Sequence, residues 1–550
     1  MLLTLHLLLA CSTEQAPQTP GAMPTAETPT LTLNVEYGSE KKAWLEAQIE
    51  AFEATRPTIA SGKRIDVEAH GQGSGEGMRD ILSGKLQPDV FSPASSAYLS
   101  LLDDAWLAKG GTAKICTTGE PLVLSPVVIA MWKPMAEALG WPAKRLGWAD
   151  ILAVSAKKTG WDAFGHPEWG FFKLAHTHPG LSNSGLLAVL AEAYAGAGKT
   201  RGLTLEDLNG PTVSKFLEEV EGSIVHYGKS TSFLAEKMQE RGPGYVSAAV
   251  VYESVVVDSY ARASEMPIIA IYPNEGTFWS DHPWSVLDAD WVTDEKKEAA
   301  AKLLEFLKAK PQQEAAMAAG FRPADPGIAM GAPLDAAHGV DPKEPQTLLE
   351  VPDGPTLGGV VAAWERNKKA SDVVLVFDKS GSMRGDPLAQ AKQGAAVFLE
   401  SLSDRDRVSV LFFDNVVATP GPFTLLGGGG REALTASVSG TIADGGTSIY
   451  DALLAALQVA EQDLVSHPRD IHAVVVMTDG RDESSQQSLE ATLAALNQRA
   501  EANVKVFTIA YGKQADPTVL SQLAEAGRGT MAKGTAEDIQ GVFRDMAAFF

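Results

Sequence analysis

The sequence predicts an α/β protein of two or three domains. Three observations predict it. Strand and helix signals alternate from Leu31 onward, a stretch dense in Pro, Gly and Asp interrupts them at residues 321–355, and a second alternating series runs from Ser371 to the end. A chain of 550 residues is too long for one hydrophobic core, and 45% hydrophobic with 21% charged residues is ordinary for globular protein.

Residues 1–10, MLLTLHLLLA, are an apolar run too short to span a bilayer as a helix. They lead into Leu8-Leu9-Ala10-Cys11, which resembles a bacterial lipobox, although the run has no Lys or Arg. That resemblance implies a signal peptide and lipobox at 1–11 and lipidation of Cys11, anchoring the chain to a membrane. Residues 12–30 are Pro, Thr, Ala and Glu with almost no large apolar side chains, and they read as a flexible tether.

The first domain is placed at 31–325. LTLNVEY, RIDVEAH and DVFSPAS read as strands, each followed by a loop and a helix-compatible run, the arrangement of an open, mostly parallel sheet. VSAAVVY and PIIAIY are further strand candidates, and DEKKEAAAKLLEFLKA is a late helix. Residues 326–370 are taken as an interdomain linker and 371–550 as the second domain. There the near-continuous apolar strands DVVLVFD, RVSVLFF, HAVVVMTD and VKVFTIAY indicate a sheet buried on both faces.

A formal charge of −23 makes nucleic acid an improbable partner, since phosphates would be repelled. Two cysteines, Cys11 and Cys116, exclude a disulfide scaffold and a cysteine-rich metal site.

Chemistry concentrates at strand ends. Asp378, Ser380 and Ser382 follow the first strand of the second domain in DKSGS, Thr447 opens a helix after Gly445-Gly446, and Asp479 ends a third strand in MTDG. Two carboxylates and three hydroxyls are hard oxygen donors suited to a small divalent cation. Taken alone, DKSGS is equally an ordinary turn with a capping Asp or Ser. The five positions together resemble the DxSxS, Thr, Asp pattern of the von Willebrand factor A family, over roughly the last 180 residues. The resemblance implies a doubly wound, Rossmann-like domain with a metal-ion-dependent adhesion site. It also implies Mg²⁺ or Mn²⁺ as the cofactor and a protein partner whose carboxylate completes the coordination. No base or activated nucleophile accompanies these residues, so a binding role is preferred to an enzymatic one.

The loops of the first domain carry Ser39, then Gly73, Ser74 and Gly75, then Ser95 and Ser96, each before a helix, and Ser184 repeats the device. Free amides at helix starts favour an anion or a small polar solute, but serine is also favoured there simply as a cap. These loops, with LVLSPVVIAMW, HTHPGLSNSGLLAVLAEAYA and YPNEGTFWSDHP, resemble the two-lobed periplasmic solute-binding proteins of the molybdate and sulfate kind. The resemblance implies ligand contacts from Ser39, Ser74, Ser95, Ser184 and Tyr252 between two lobes, with a small molecule or oxyanion as ligand. Glu253 reads either as a ligand contact or as a strand cap. His176 and His178 read as structural, and Trp132, Trp141, Trp148, Trp161 and Trp169 as packing.

Together these features describe a lipid-anchored bacterial cell-envelope protein that binds a small solute or a protein with one domain and docks an acidic partner with the other. The alternative is an assembly adaptor for an ATPase or chelatase complex. Without GxxxxGK[ST], the chain is not expected to be the motor of such a complex.

Overall fold

The computed structural model describes residues 29–262, 266–499 and 504–550. Cys11, the leader and nearly all of the proposed tether lie outside them. Three sheets organise the described residues.

In the first sheet Arg64–Gln72, Thr30–Gly38 and Val90–Ser92 run parallel, followed by Pro283–Val286 and Glu120–Pro121 in antiparallel register. The second is built on Val123–Trp132, which pairs antiparallel with Ala248–Tyr252 and with Ile268–Ile271; beyond them lie the parallel strands Leu174–Thr177 and Ile224–Gly228. The chain crosses between the two sheets at Pro121–Val123 and again between Trp279–Ser280 and Pro283–Val286. These crossings touch, with Leu122 N donating to His282 O at 3.2 Å. Two lobes joined by paired crossings make a hinged unit. His282 sits in the second crossing with φ of 40°, a conformation that costs a residue with a Cβ and persists only when its surroundings enforce it.

The third sheet has the spatial order Thr424–Leu425, Arg407–Phe413, Ser371–Asp378, Ile471–Thr478, Val504–Tyr511, Arg528–Gly534, all parallel except the first. This is the doubly wound order, which reverses between Ser371–Asp378 and Ile471–Thr478. Side-chain alternation explains the two helical layers. Val373, Leu375 and Phe377 face one way, toward Phe398 and Phe543, while Val374 and Val376 face the other, toward Ile449 and Leu453. All five strand residues are fully buried.

Within 326–370 the structure has more order than a connection requires. Helix Gly354–Asn367 begins at Asp353, whose side chain accepts from Thr356 N at 2.9 Å, with Pro355 in the first turn. It buries Leu357, Val360 and Trp364, and Trp364 meets His178 and Tyr227 at ring separations of 4.6 and 5.0 Å. The two domains share one apolar core. Phe549 packs on Phe233 at 5.5 Å and its carbonyl accepts from Tyr227 N, and Arg241 donates to the carbonyls of Arg528 and Gly529. Among the described residues, no helix is long and apolar enough to cross a membrane.

Candidate functional site

The parallel register that sets Phe377 beside Met477 brings the carboxyl ends of the two central strands together at the reversal point of the sheet. Asp378 and Asp479 lie there. Asp378 is oriented from both sides: Ser380 N donates to its Oδ1 at 2.7 Å, and Thr478 Oγ1 donates to its Oδ2 at 2.6 Å. Ser380 and Ser382 hydroxyls are 3.0 Å apart, and Ser382 Oγ donates to Asp479 Oδ1 at 2.7 Å. Thr447 completes the group, since a Cβ placed on Gly480 would lie 3.2 Å from Thr447 Oγ1 and 3.8 Å from Ser382 Oγ. Gly381 N bonds to Gly445 O at 2.9 Å, which ties the DKSGS loop to the loop before Thr447.

All five predicted residues therefore converge. Burial pushes the Asp378 carboxyl up to about 6 despite the hydrogen bonds it accepts, and burial also raises Asp479. Among the described residues neither carboxylate is in an ion pair; Lys379, the adjacent cation, is paired with Asp414. Two buried carboxylates beside three hydroxyls, with no neutralising side chain, fit a hard divalent cation. Another acidic group, Asp372, Asp463 and His467, lies at the opposite end of the same strand, six residues or roughly 20 Å from Asp378.

The first domain gives a more mixed result. The loops gather where its two lobes meet, but they bond to one another across the boundary. Leu181 O accepts from Gly75 N at 3.0 Å and from Glu76 N at 3.3 Å, so two free amides at the start of helix Ser74–Leu82 are taken by the opposite lobe. The glycines at this contact are required for space: a Cβ on Gly73 would lie 2.5 Å from Leu181 O, and one on Gly75 2.5 Å from Gly180 O. Ser74 Oγ accepts from Ala94 N in the neighbouring loop and Ser95 Oγ from Ala97 N, so both hydroxyls serve backbone amides of the same lobe. Ser39 opens a short turn at the strand end, half-buried, and Ser96 is exposed with its amide on Asp281.

Ser184 and Tyr252 are buried in a hydroxyl and amide network. Ser184 bonds to Thr177 at 2.8 Å and Thr231 at 2.7 Å, and Asn183 Nδ2 donates to Tyr252 Oη at 3.0 Å and Ser280 Oγ at 3.2 Å. Asn183, Thr231 and Ser280 were not singled out from sequence. Asn183 stands beside Ser184 in the first turn of helix Asn183–Ala197, within the same SNSG segment of the sequence. Beside this network Lys41, fully buried, donates to Ser92 O at 2.8 Å and pairs with Glu40, which also bonds His282 at 3.1 Å. Glu253 opens helix Glu253–Ser259 with its carboxylate held in a buried ion pair. Both its oxygens are held by Arg322, at 2.8 and 2.5 Å, and Tyr272 donates to it as well. Trp132, Trp148 and Trp161 are core residues, with Trp141 and Trp169 packed against the core.

Residues 33–322, more than half of the chain, match the family of bacterial extracellular solute-binding proteins. The chain belongs to that family. Residues 372–544 match the von Willebrand factor type A domain. The solute-binding domain is thus the two-lobed unit, and the von Willebrand A domain is the doubly wound one. An uncharacterized protein of Synechocystis sp. is 27% identical over 164 residues, 29% of this chain and 37% of the relative. The calcium-activated chloride channel regulator 1 of Equus caballus is 30% identical over 161 residues, 29% of this chain and 16% of the relative. The chain thus spans well under two thirds of either relative's length. A periplasmic thiamin binding protein of solved structure is 14% identical, covering 63% of this chain and 99% of that one at a TM-score of 0.44.

Proposed function

We propose that this chain is an extracytoplasmic, non-enzymatic binding protein whose von Willebrand A domain docks an acidic protein partner through Mg²⁺ or Mn²⁺. Asp378, Ser380, Ser382, Thr447 and Asp479 would hold the ion. The observation that carries the reading is the convergence of those oxygens, with two unpaired buried carboxylates, at the reversal point of the sheet. A bound cation supplies a positive centre with room for one external carboxylate. The protein's own part is to orient Asp378 through Ser380 N and Thr478, and Asp479 through Ser382. The solute-binding domain binds a small solute, an oxyanion among the candidates, or serves as a protein-binding surface. The direct bonds from Gly75 and Glu76 to Leu181 favour the second role, because they occupy amides an anion would use. Membrane attachment through Cys11 belongs to the same proposal.

Immobilised full-length chain is presented with synthetic peptides bearing a single Asp or Glu side chain, in Mg²⁺ and then in EDTA. Binding that requires both the carboxylate and the metal supports the docking role; equal binding in EDTA contradicts it. Radiolabelled fatty acid incorporated by the unmutated chain and absent from Cys11→Ser tests the anchor.

A further inference from the structure

We infer that the second lobe contains a separate, closed divalent-cation site formed by His176, Glu192 and Glu221, suited to a first-row ion of the zinc class. His176 lies on strand Leu174–Thr177, Glu192 within helix Asn183–Ala197, and Glu221 at the end of helix Pro211–Glu221. One ligand atom from each lies within 4.8 Å of the others, and all three side chains are fully buried.

The protons decide what this cluster can hold. His176 Nδ1 is 2.7 Å from Thr177 O, and a carbonyl only accepts, so Nδ1 carries a proton. Nε2 then faces Glu221 Oε1 at 3.0 Å. An unprotonated Nε2 and a carboxylate oxygen are both acceptors, so a second proton or a cation must stand between them. The other Glu221 oxygen accepts from Tyr227 Oη at 2.6 Å. Glu192 supplies the independent observation: it is the lone acid in a buried apolar stretch of its helix, and neither of its oxygens has a hydrogen-bond partner among the described residues.

Two arrangements leave this pocket neutral. In one, a proton is shared between His176 Nε2 and Glu221 and another sits on Glu192. In the other, a divalent ion replaces both protons and balances two carboxylates around a neutral imidazole. The first leaves the Glu192 carboxyl buried with neither its donor nor its acceptors matched, which is unfavourable. The second matches Glu192 and satisfies Nε2. It also gives the Nδ1 bond to Thr177 O and the Tyr227 bond to Glu221 the usual orienting roles around a metal. Nitrogen with carboxylate oxygen is a zinc-class donor set, unlike the all-oxygen set around Asp378. The group Asp372, Asp463 and His467 differs in having its cation already: Arg407 lies 2.6 Å from both aspartates.

The test uses the full chain carrying Asp378→Ala, which removes the ligand central to the other site. After chelation, incubation with Zn²⁺ and extensive dialysis, metal content is measured by mass spectrometry. About one zinc per chain is expected, falling at least about tenfold when Glu192→Gln is added, a change that keeps shape and removes a ligand charge. Zinc retained equally by the Glu192→Gln chain, or absent from both, overturns the site. X-ray absorption of the zinc-loaded Asp378→Ala chain gives a check that does not depend on the second variant folding. One imidazole with oxygen donors is expected; oxygen alone, or two or more imidazoles, contradicts the assignment.

Discussion

Replacing Gly75 by alanine tests whether the lobes of the solute-binding domain are held together by direct backbone contact. Gly75 is the second residue of helix Ser74–Leu82 and has no left-handed φ, so its conformation does not demand glycine. Helix propensity alone favours alanine there by about 0.5–1 kcal/mol. Space opposes it. The new Cβ would lie 2.5 Å from Gly180 O and 3.0 Å from Tyr98 Oη, and the nearer atom is backbone of the opposite lobe. Relief requires the 180–181 loop to withdraw by somewhat under about 1 Å, an overpacking cost of about 1–3 kcal/mol. Withdrawal also weakens the bonds from Gly75 and Glu76 to Leu181, each contributing about 0.5–1.5 kcal/mol. The expected net is a shift of about 2–4 kcal/mol away from the arrangement with the lobes in contact, at least about thirtyfold in its equilibrium. Amide hydrogen exchange in peptides spanning 73–82 and 178–186 should speed up by a similar factor, with a larger radius of gyration in small-angle scattering. Gly541→Ala is the control. It sits in helix Ile539–Ala547 with nothing within 4 Å of its added Cβ, and should leave both readouts unchanged while stabilising slightly. Unchanged exchange in Gly75→Ala would refute the direct lobe contact.

Other expectations follow from single residues. Burial raises Glu36 from 4.5 to about 7 against the opposing pull of His70, 2.8 Å away. The folded state therefore holds a proton between these values that the unfolded chain has lost, and stability from this group declines as pH rises through 7. Glu36→Gln should flatten that slope by an amount approaching about 3 kcal/mol across the window, read from urea midpoints at a series of pH values. Arg322→Met strands the buried Glu253 carboxylate and should cost about 3–5 kcal/mol, with much of the loss recovered in Arg322→Met/Glu253→Gln. Trp364→Ala removes a fully buried ring packed on Tyr227 and His178. It should lower stability by about 3–5 kcal/mol in equilibrium denaturation, and a loss under about 1 kcal/mol would mean that helix Gly354–Asn367 is not structural.

The legibility of the sequence differs between the domains for physical reasons. In the von Willebrand A domain each oxygen donor sits at the end of an apolar strand or the start of a helix, where ligands collect in an open α/β sheet, and the resemblance to the family pattern supplies the expectation that all five meet. Around the solute-binding cleft the same reasoning locates the loops but not what fills them. Gly73 and Gly75 read as room for a ligand, whereas the room is taken by the carbonyls of Leu181 and Gly180, about a hundred residues away. Nothing local records that pairing. The helix Gly354–Asn367 is a different case: Asp353 and Pro355 signal its start and Leu357, Val360 and Trp364 its buried face, but the surrounding Pro and Gly content made the stretch look like a connection. Glu253 was ambiguous because its partner Arg322 lies 69 residues later.

The central claim is that Asp378, Ser380, Ser382, Thr447 and Asp479 form one divalent-cation site. Calorimetric titration of Mn²⁺ into the chelator-treated full chain measures it most directly. The geometry predicts saturable binding that is lost in Asp378→Ala and weakened at least about tenfold in Thr447→Ala, with both variants still folded. Undiminished Mn²⁺ affinity in Asp378→Ala would contradict it.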